Sequence, residues 1–234
     1  MRAPAPGSSR ATPSDPPASR AGPRTAGTGP TRLVASTLVP SPDSSRARRT
    51  LVLGGARSGK SAHAEGLLDD LAPGTHVRYV ATARRYADDR DWDARIDQHR
   101  RRRPDAWSTV ETGHDGSLVA VLSAPGPHPP TLVDDLGTWI TGELDDADAW
   151  EAPRGTIASR TDGLVDAVAS YGDRLLLVSP EVGMGVIPEH RSGRLFRDEL
   201  GALNARLADV CDDVILVVAG LPLILKRPAP IRKA

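Results

Sequence analysis

At 234 residues the chain has room for one sizeable α/β domain with tails. Its formal net charge is zero, but residues 1–49 carry a net +6 from eight Arg and two Asp, the last eight residues add +3, and the stretch between is −9. An acidic folded part argues against a nucleic-acid surface, although a pocket within it can be locally basic. The one cysteine, Cys211, excludes an internal disulfide and a multi-cysteine zinc site and fits a reducing cytoplasm.

No apolar run approaches the roughly 20 residues of a membrane helix, and the N-terminus lacks the apolar core of a secretory signal. Residues 1–49 consist largely of Pro, Ala, Ser, Thr, Gly and Arg, with no aromatic residue. Such a segment buries too little apolar surface to offset its ordering entropy, so a disordered tail is expected. Its Arg-rich, acid-poor composition is loosely that of an organellar transit peptide, but frequent Pro works against the amphipathic helix such a peptide needs. A domain is expected over residues 50–226, followed by a short basic end at 227–234.

Within the domain, strands are predicted at Thr50–Leu53, Val77–Ala81, Ser108–Glu111, Thr131–Asp134, Arg174–Ser179 and Val214–Ala219. Near-continuous apolar runs such as Leu175-Leu176-Leu177-Val178 belong to strands buried on both faces. Phe196, Leu200, Leu203, Leu207 and Val210 recur at helical spacing, with Arg194, Arg197, Arg206 and Asp209 mostly opposite them. Alternating strands and helices predict an α/β fold of the P-loop NTPase kind, a mostly parallel sheet flanked by helices.

The first strand runs into Gly54-Gly55-Ala56-Arg57-Ser58-Gly59-Lys60-Ser61, a complete Walker A sequence, and a helix-compatible stretch follows it. Its glycines let backbone N–H groups curl around a phosphate beside a helix start. Lys60 is expected on the β and γ phosphates and Ser61 on Mg²⁺. Two acidic strand ends, Asp134 after Thr131-Leu132-Val133 and Glu181 after Leu177-Val178-Ser179-Pro180, are candidates for the metal side; either can equally be an ordinary turn.

Of six histidines, His63, His76, His114 and His128 read as packing or turn residues. His99 stands before four consecutive arginines, Arg100 to Arg103. Arginine forks bind phosphate bidentately, and a histidine beside them can carry a phosphoryl group covalently. A solvated basic helix end with an incidental histidine explains the same residues.

The Walker A loop with Ala62-His63-Ala64-Glu65 resembles the bifunctional adenosylcobinamide kinase / adenosylcobinamide-phosphate guanylyltransferase family of cobalamin synthesis. The resemblance continues through Tyr79-Val80-Ala81-Thr82, Arg95-Ile96 to His99-Arg100, Arg103-Pro104 and Trp107 to Glu111. Its longest stretch is Val178 to Glu189, containing Glu181-Val182-Gly183-Met184-Gly185, and it extends to Val217-Val218-Ala219-Gly220-Leu221-Pro222-Leu223. The resemblance implies two reactions: phosphorylation of adenosylcobinamide by ATP or GTP, then GMP transfer from GTP to adenosylcobinamide phosphate. It makes His99 the guanylyl carrier and places Thr82, Ala83, Arg84, Arg100, Arg103, Glu111 and Asp134 at or near the nucleotide. It also implies a cytoplasmic homotrimer with the corrinoid bound between subunits. Asp135 departs from the small residue common at its position. A single-activity small-molecule kinase and a non-catalytic nucleotide sensor are the competing expectations.

Overall fold

The computed structural model describes residues 48–85, 93, 94, 96, 97, 100, 101, 103–113 and 117–227. The first forty-seven residues and the C-terminal end beyond 227 fall outside it, as do His99 and His114, so the expected disordered tail is not described. Seven strands form one sheet: β1 (Arg49–Gly54), β2 (Val77–Ala81), β3 (Trp107–Glu111), β4 (Thr131–Asp134), β5 (Leu175–Pro180), β6 (Asp213–Val218) and β7 (Leu221–Lys226). Their order across the sheet is β3-β2-β4-β5-β1-β6-β7. The pairings from β3 to β6 are all parallel, and only β7 runs antiparallel, against β6. The mostly parallel α/β sheet is thus as expected, and the six predicted strands fall within a residue or two of those observed.

The alternation of side chains explains why these strands are apolar on both sides. Leu51, Leu53, Val133, Leu175, Leu177, Val214 and Leu216 face α2 (Leu118–Leu122), α3 (Leu136–Asp146), α4 (Ala158–Ala169) and α5 (Arg191–Val210) in one apolar cluster. Their neighbours Val52, Leu132, Leu176, Val178, Ile215 and Val217 face the other way, toward Ala64 of α1 (Lys60–Gly66) and Leu68 beyond it. The predicted amphipathic helix is α5. It buries Leu200, Leu203 and Leu207, with Phe196 and Val210 packed at the margin.

The seventh strand is the element missed by sequence reasoning. Ala219 and Gly220 both have positive φ, 51° and 79°, and so form a tight hairpin turn between β6 and β7. Alanine gives no signal for that conformation, and Pro222 argues against a strand unless the strand lies at an edge. β7 does lie at the edge, and all six of its residues are exposed.

Two residues before Thr50 are already tied to the start of β6. Arg48 Nη2 donates to Asp213 Oδ1 at 2.6 Å, where β6 begins, and Arg49 N donates to Asp212 Oδ2 at 2.9 Å. The Asp213 side chain is only 3% exposed, and its other cation, Arg227, stands at 3.5 Å. Arg48→Ala is therefore expected to destabilise the fold by about 1–3 kcal/mol. That is less than the roughly 3–5 kcal/mol of breaking a fully buried pair, because Arg48 is partly exposed and Arg227 remains. Urea unfolding with an unchanged slope is the check.

Candidate active site

The Walker A loop leaves β1 at Gly54 and enters α1 at Lys60. Arg57 (φ 57°) and Gly59 (φ 92°) take the left-handed conformation that lets the chain curl back. Gly54 is required by space as well: a Cβ there would lie 2.4 Å from Ser58 Oγ and 2.8 Å from the Val217 carbonyl. Neighbouring strand ends hold the loop in place. Glu181 N donates to Gly54 O at 3.1 Å, and Gly220 N donates to Ser58 O at 2.8 Å. Gly55, Ala56, Arg57 and Gly59 are exposed along the loop, while Ser58 and Lys60 are buried in it.

Ser61, the next residue, donates from Oγ to Asp134 Oδ1 at 3.2 Å. The Walker A serine and the acidic end of β4 are therefore together, as the candidate metal side requires. The other carboxylate oxygen of Asp134 accepts from the Tyr79 hydroxyl at 2.7 Å. Burial first, and the charge of Asp134 second, push the Tyr79 hydroxyl far above its usual range, so it remains a donor. Over the Tyr79 ring, 3.7 Å from its centroid, lies the Arg103 guanidinium carbon, a cation–π contact. Arg103 Nη1 also donates to Thr109 Oγ1 at 3.2 Å. A continuous line Ser61–Asp134–Tyr79–Arg103 thus joins the phosphate loop to the arginine run.

The described residues of that run between 93 and 101 are helical, and Arg100 is exposed on them. His99 lies outside the described residues. Glu111 ends β3, exposed and across β2 from Asp134, since both align with Ala81. Thr82 is buried, with its Oγ1 2.6 Å from both Asp135 O and Thr138 Oγ1. Arg84, two residues on, forms a bidentate pair with Asp146 at 2.7 and 2.6 Å. Ala83 lies between them, its carbonyl where a Cβ on Gly113 would fall. Glu181 turns back on its own loop: its Oε1 accepts from Gly183 N at 2.5 Å.

Asn204 on α5 holds the strand end beneath that loop, accepting from Ser179 Oγ at 2.6 Å and donating to Pro180 O at 3.1 Å. Arg197 and Arg194 then donate to the carbonyls of Gly183 and Pro188. One helix thus fixes the loop carrying the longest stretch of resemblance.

A sequence profile of the family "Cobinamide kinase / cobinamide phosphate guanyltransferase" matches residues 50–225. The chain belongs to this family. It is 37% identical over 185 residues to the bifunctional adenosylcobalamin biosynthesis protein CobU of Escherichia coli K12, covering 75% of this chain and 98% of that one. The protein of the same description from Salmonella typhimurium LT2 is 38% identical over 185 residues, with the same coverage. The bifunctional adenosylcobalamin biosynthesis protein CobP of Pseudomonas aeruginosa PAO1 is 39% identical over 181 residues, covering 76% of this chain and 97% of that one. The Walker A loop, the β4 acid and the Glu181 loop of this cobinamide kinase family member all lie within the matched span.

Sequence reasoning gave no role to Tyr79 or Asp135. Asp135 caps α3, its Oδ1 accepting from Thr138 N at 2.9 Å, and an Asp three residues before a threonine is the available signal. The Asp134–Asp135 peptide is cis. Desolvation by the surrounding protein, followed by the charge of Asp134, raises the Asp135 pKa, while Lys60 opposes the rise. His63 Nε2 is buried without a hydrogen-bond partner among the described residues, and burial lowers its pKa.

The Asp135 shift fixes the sign of a pH effect. A carboxyl whose folded pKa lies above its unfolded one stabilises below the unfolded value and loses that contribution as pH rises through the folded value. Asparagine caps a helix as well as aspartate does and carries no charge. In nucleotide-free protein, Asp135→Asn should therefore raise the melting temperature at pH 7–8. The gap to wild type should close as pH falls toward the carboxylate range, as read by thermal scans across that interval.

Proposed function

We propose that this chain phosphorylates the terminal hydroxyl of adenosylcobinamide with ATP or GTP, then transfers GMP from GTP to the new phosphate. Family membership supports both activities, and the Ser61–Asp134–Tyr79–Arg103 line is the observation that carries the single-site reading. It links Arg103, four residues after His99 in the chain, to the phosphate loop through Tyr79 and Asp134.

In the first reaction the cobinamide oxygen attacks the γ-phosphorus, the bond to the β-bridging oxygen breaks, and the hydroxyl proton is lost. The backbone N–H groups of the exposed residues Gly55, Ala56, Arg57 and Gly59 and the buried Lys60 ammonium would hold the departing charge. In the second, neutral His99 attacks the α-phosphorus and pyrophosphate leaves. An oxygen of adenosylcobinamide phosphate then attacks that phosphorus, the P–N bond breaks, and the imidazole is restored. Arg100 and Arg103 are the donors for the phosphate oxygens in this step. Thr82, Ala83 and Arg84 border the nucleotide on the β2 side, and Glu111 borders it from β3.

Ser61 Oγ and Asp134 Oδ1, 3.2 Å apart, are hard oxygen donors suited to Mg²⁺ alongside substrate phosphates. Among the described residues no cluster of three or more His, Cys, Asp or Glu competes with this pair for a metal. Bound there, the ion would spread triphosphate charge, and Glu181, whose backbone N–H meets Gly54 O, would be the second acidic candidate on that side.

GTP labelled in its α-phosphate tests the proposal. The wild-type protein should form an acid-labile, base-stable adduct that His99→Ala does not form, and Lys60→Ala should lower kinase turnover at least about a hundredfold. Adenosylcobinamide phosphate without any adduct would favour the single-activity kinase; GTP binding with no turnover would favour the sensor.

The homotrimer is proposed on the exposed edge of the sheet. Leu221, Leu223 and Leu225 of β7 are 72%, 56% and 53% exposed, and Met184, Val186 and Ile187 are also open to solvent. An apolar edge strand of this length is normally covered by another chain. Light scattering should find three times the 24.8 kDa chain mass, falling to one in the double variant Leu223→Lys, Leu225→Lys. No helix among the described residues is long and apolar enough to cross a membrane.

A further inference from the structure

Tyr79 stands in the middle of β2, between β3 and β4, and belongs to the apolar cluster of Val52, Ala64, Leu68 and Val77. The residue is 1% exposed. Phenylalanine would fill that volume with no hydroxyl to satisfy, so packing alone does not call for a tyrosine. The hydroxyl has a use, as donor to Asp134 Oδ2. The ring has a second use, which the first does not explain.

Three residues surround that ring. Trp107 lies 6.4 Å away between centroids, tilted by 31°. Thr109 is the β3 residue in register with Tyr79. The Arg103 guanidinium covers the ring face and donates from Nη1 to that same threonine. Arg103 precedes β3, so its side chain is placed by one aromatic face and one hydroxyl rather than by the sheet. Its Nε is buried without a hydrogen-bond partner among the described residues. A guanidinium placed to satisfy its own donors would not leave one buried and unmet. The cation is kept on the ring at the expense of a hydrogen bond.

An aromatic ring suits an arginine that must bind phosphate. Stacking uses the flat face of the guanidinium, whereas phosphate recognition uses its edge. A carboxylate would instead take the edge and cancel the charge that a phosphate reads.

We propose that Tyr79 is a positioning residue for guanylyl transfer, its ring holding the Arg103 guanidinium flat so that the edge can meet the α-phosphate. This rests on the function proposed above, in which Arg103 serves the second reaction. The phenol hydroxyl serves Asp134, which both reactions share.

Tyr79→Phe and Tyr79→Met, made in the full chain, both remove the donor to Asp134, and only the second removes the aromatic face. Methionine is flexible enough to fill an irregular core gap. For each protein, the rate of GMP transfer to adenosylcobinamide phosphate is divided by the rate of adenosylcobinamide phosphorylation. The ratio cancels losses common to both reactions, including partial unfolding and any change at Asp134. It should stay within about twofold of wild type in Tyr79→Phe and fall about tenfold in Tyr79→Met, the order of one desolvated cation–π contact. Ratios that do not separate the two variants in that direction overturn the assignment.

Should the methionine protein fail to fold, Thr109→Val tests the same seat. It removes the other contact of the guanidinium at an exposed residue, with a side chain that suits a strand. Its ratio should fall about threefold, the order of one hydrogen bond, and an unchanged ratio overturns the assignment. Wild-type turnover is read first. Absence of GMP transfer there would sink the proposed function, whereas normal wild-type turnover with unseparated ratios would sink the role of Tyr79 alone.

Discussion

A carboxylate at the inner end of a buried strand is costly unless its oxygens find donors. Asp134 meets that demand with one donor from each side, Ser61 from the phosphate loop and Tyr79 from β2. The sheet order makes this possible. β4 stands between β2 and β5, and β5 pairs with β1, so a side chain on β4 is within reach of both the helix after β1 and the strand beside it. Removing either donor would leave an acidic group facing protein, and the loop, β2 and the arginine arm would lose their common point.

The stacking of Arg103 on Tyr79 extends that constraint outward. A tyrosine whose hydroxyl is committed to a carboxylate presents an electron-rich face, and a guanidinium on that face is held without using up its fork. Phosphate recognition and arm positioning are therefore shared by the same residue. Arg103 thereby ties the chain just before β3 to β2.

The parts of this arrangement that were legible in the sequence are those whose chemistry is local. The Walker A loop needs glycines in consecutive order, and buried parallel strands need unbroken apolar runs; both are visible in a string of letters. The Ser61–Asp134 contact was foreseeable as a pairing of motif types. Tyr79, by contrast, sat inside the quoted resemblance with no role, because its meaning depends on β2 lying next to β4, a relation between positions 55 residues apart. β7 was hidden for a different reason: its turn uses Ala219 in a conformation that glycine or asparagine ordinarily signals, and its strand includes a proline. Asp146 was invisible because a lone acid near a helix end has no pattern, and only the fold brings Arg84 onto it. His99, left open by its arginine neighbours and singled out by the resemblance, lies outside the described residues.

The charge layout separates two tasks that a bifunctional enzyme must keep apart. Lys60 is buried in the phosphate loop, and Arg103 stacks on the tyrosine that donates to Asp134. Arg84 is instead paired with Asp146. Phosphate binding is insensitive to what the rest of the nucleotide or corrinoid looks like, because it reads charge.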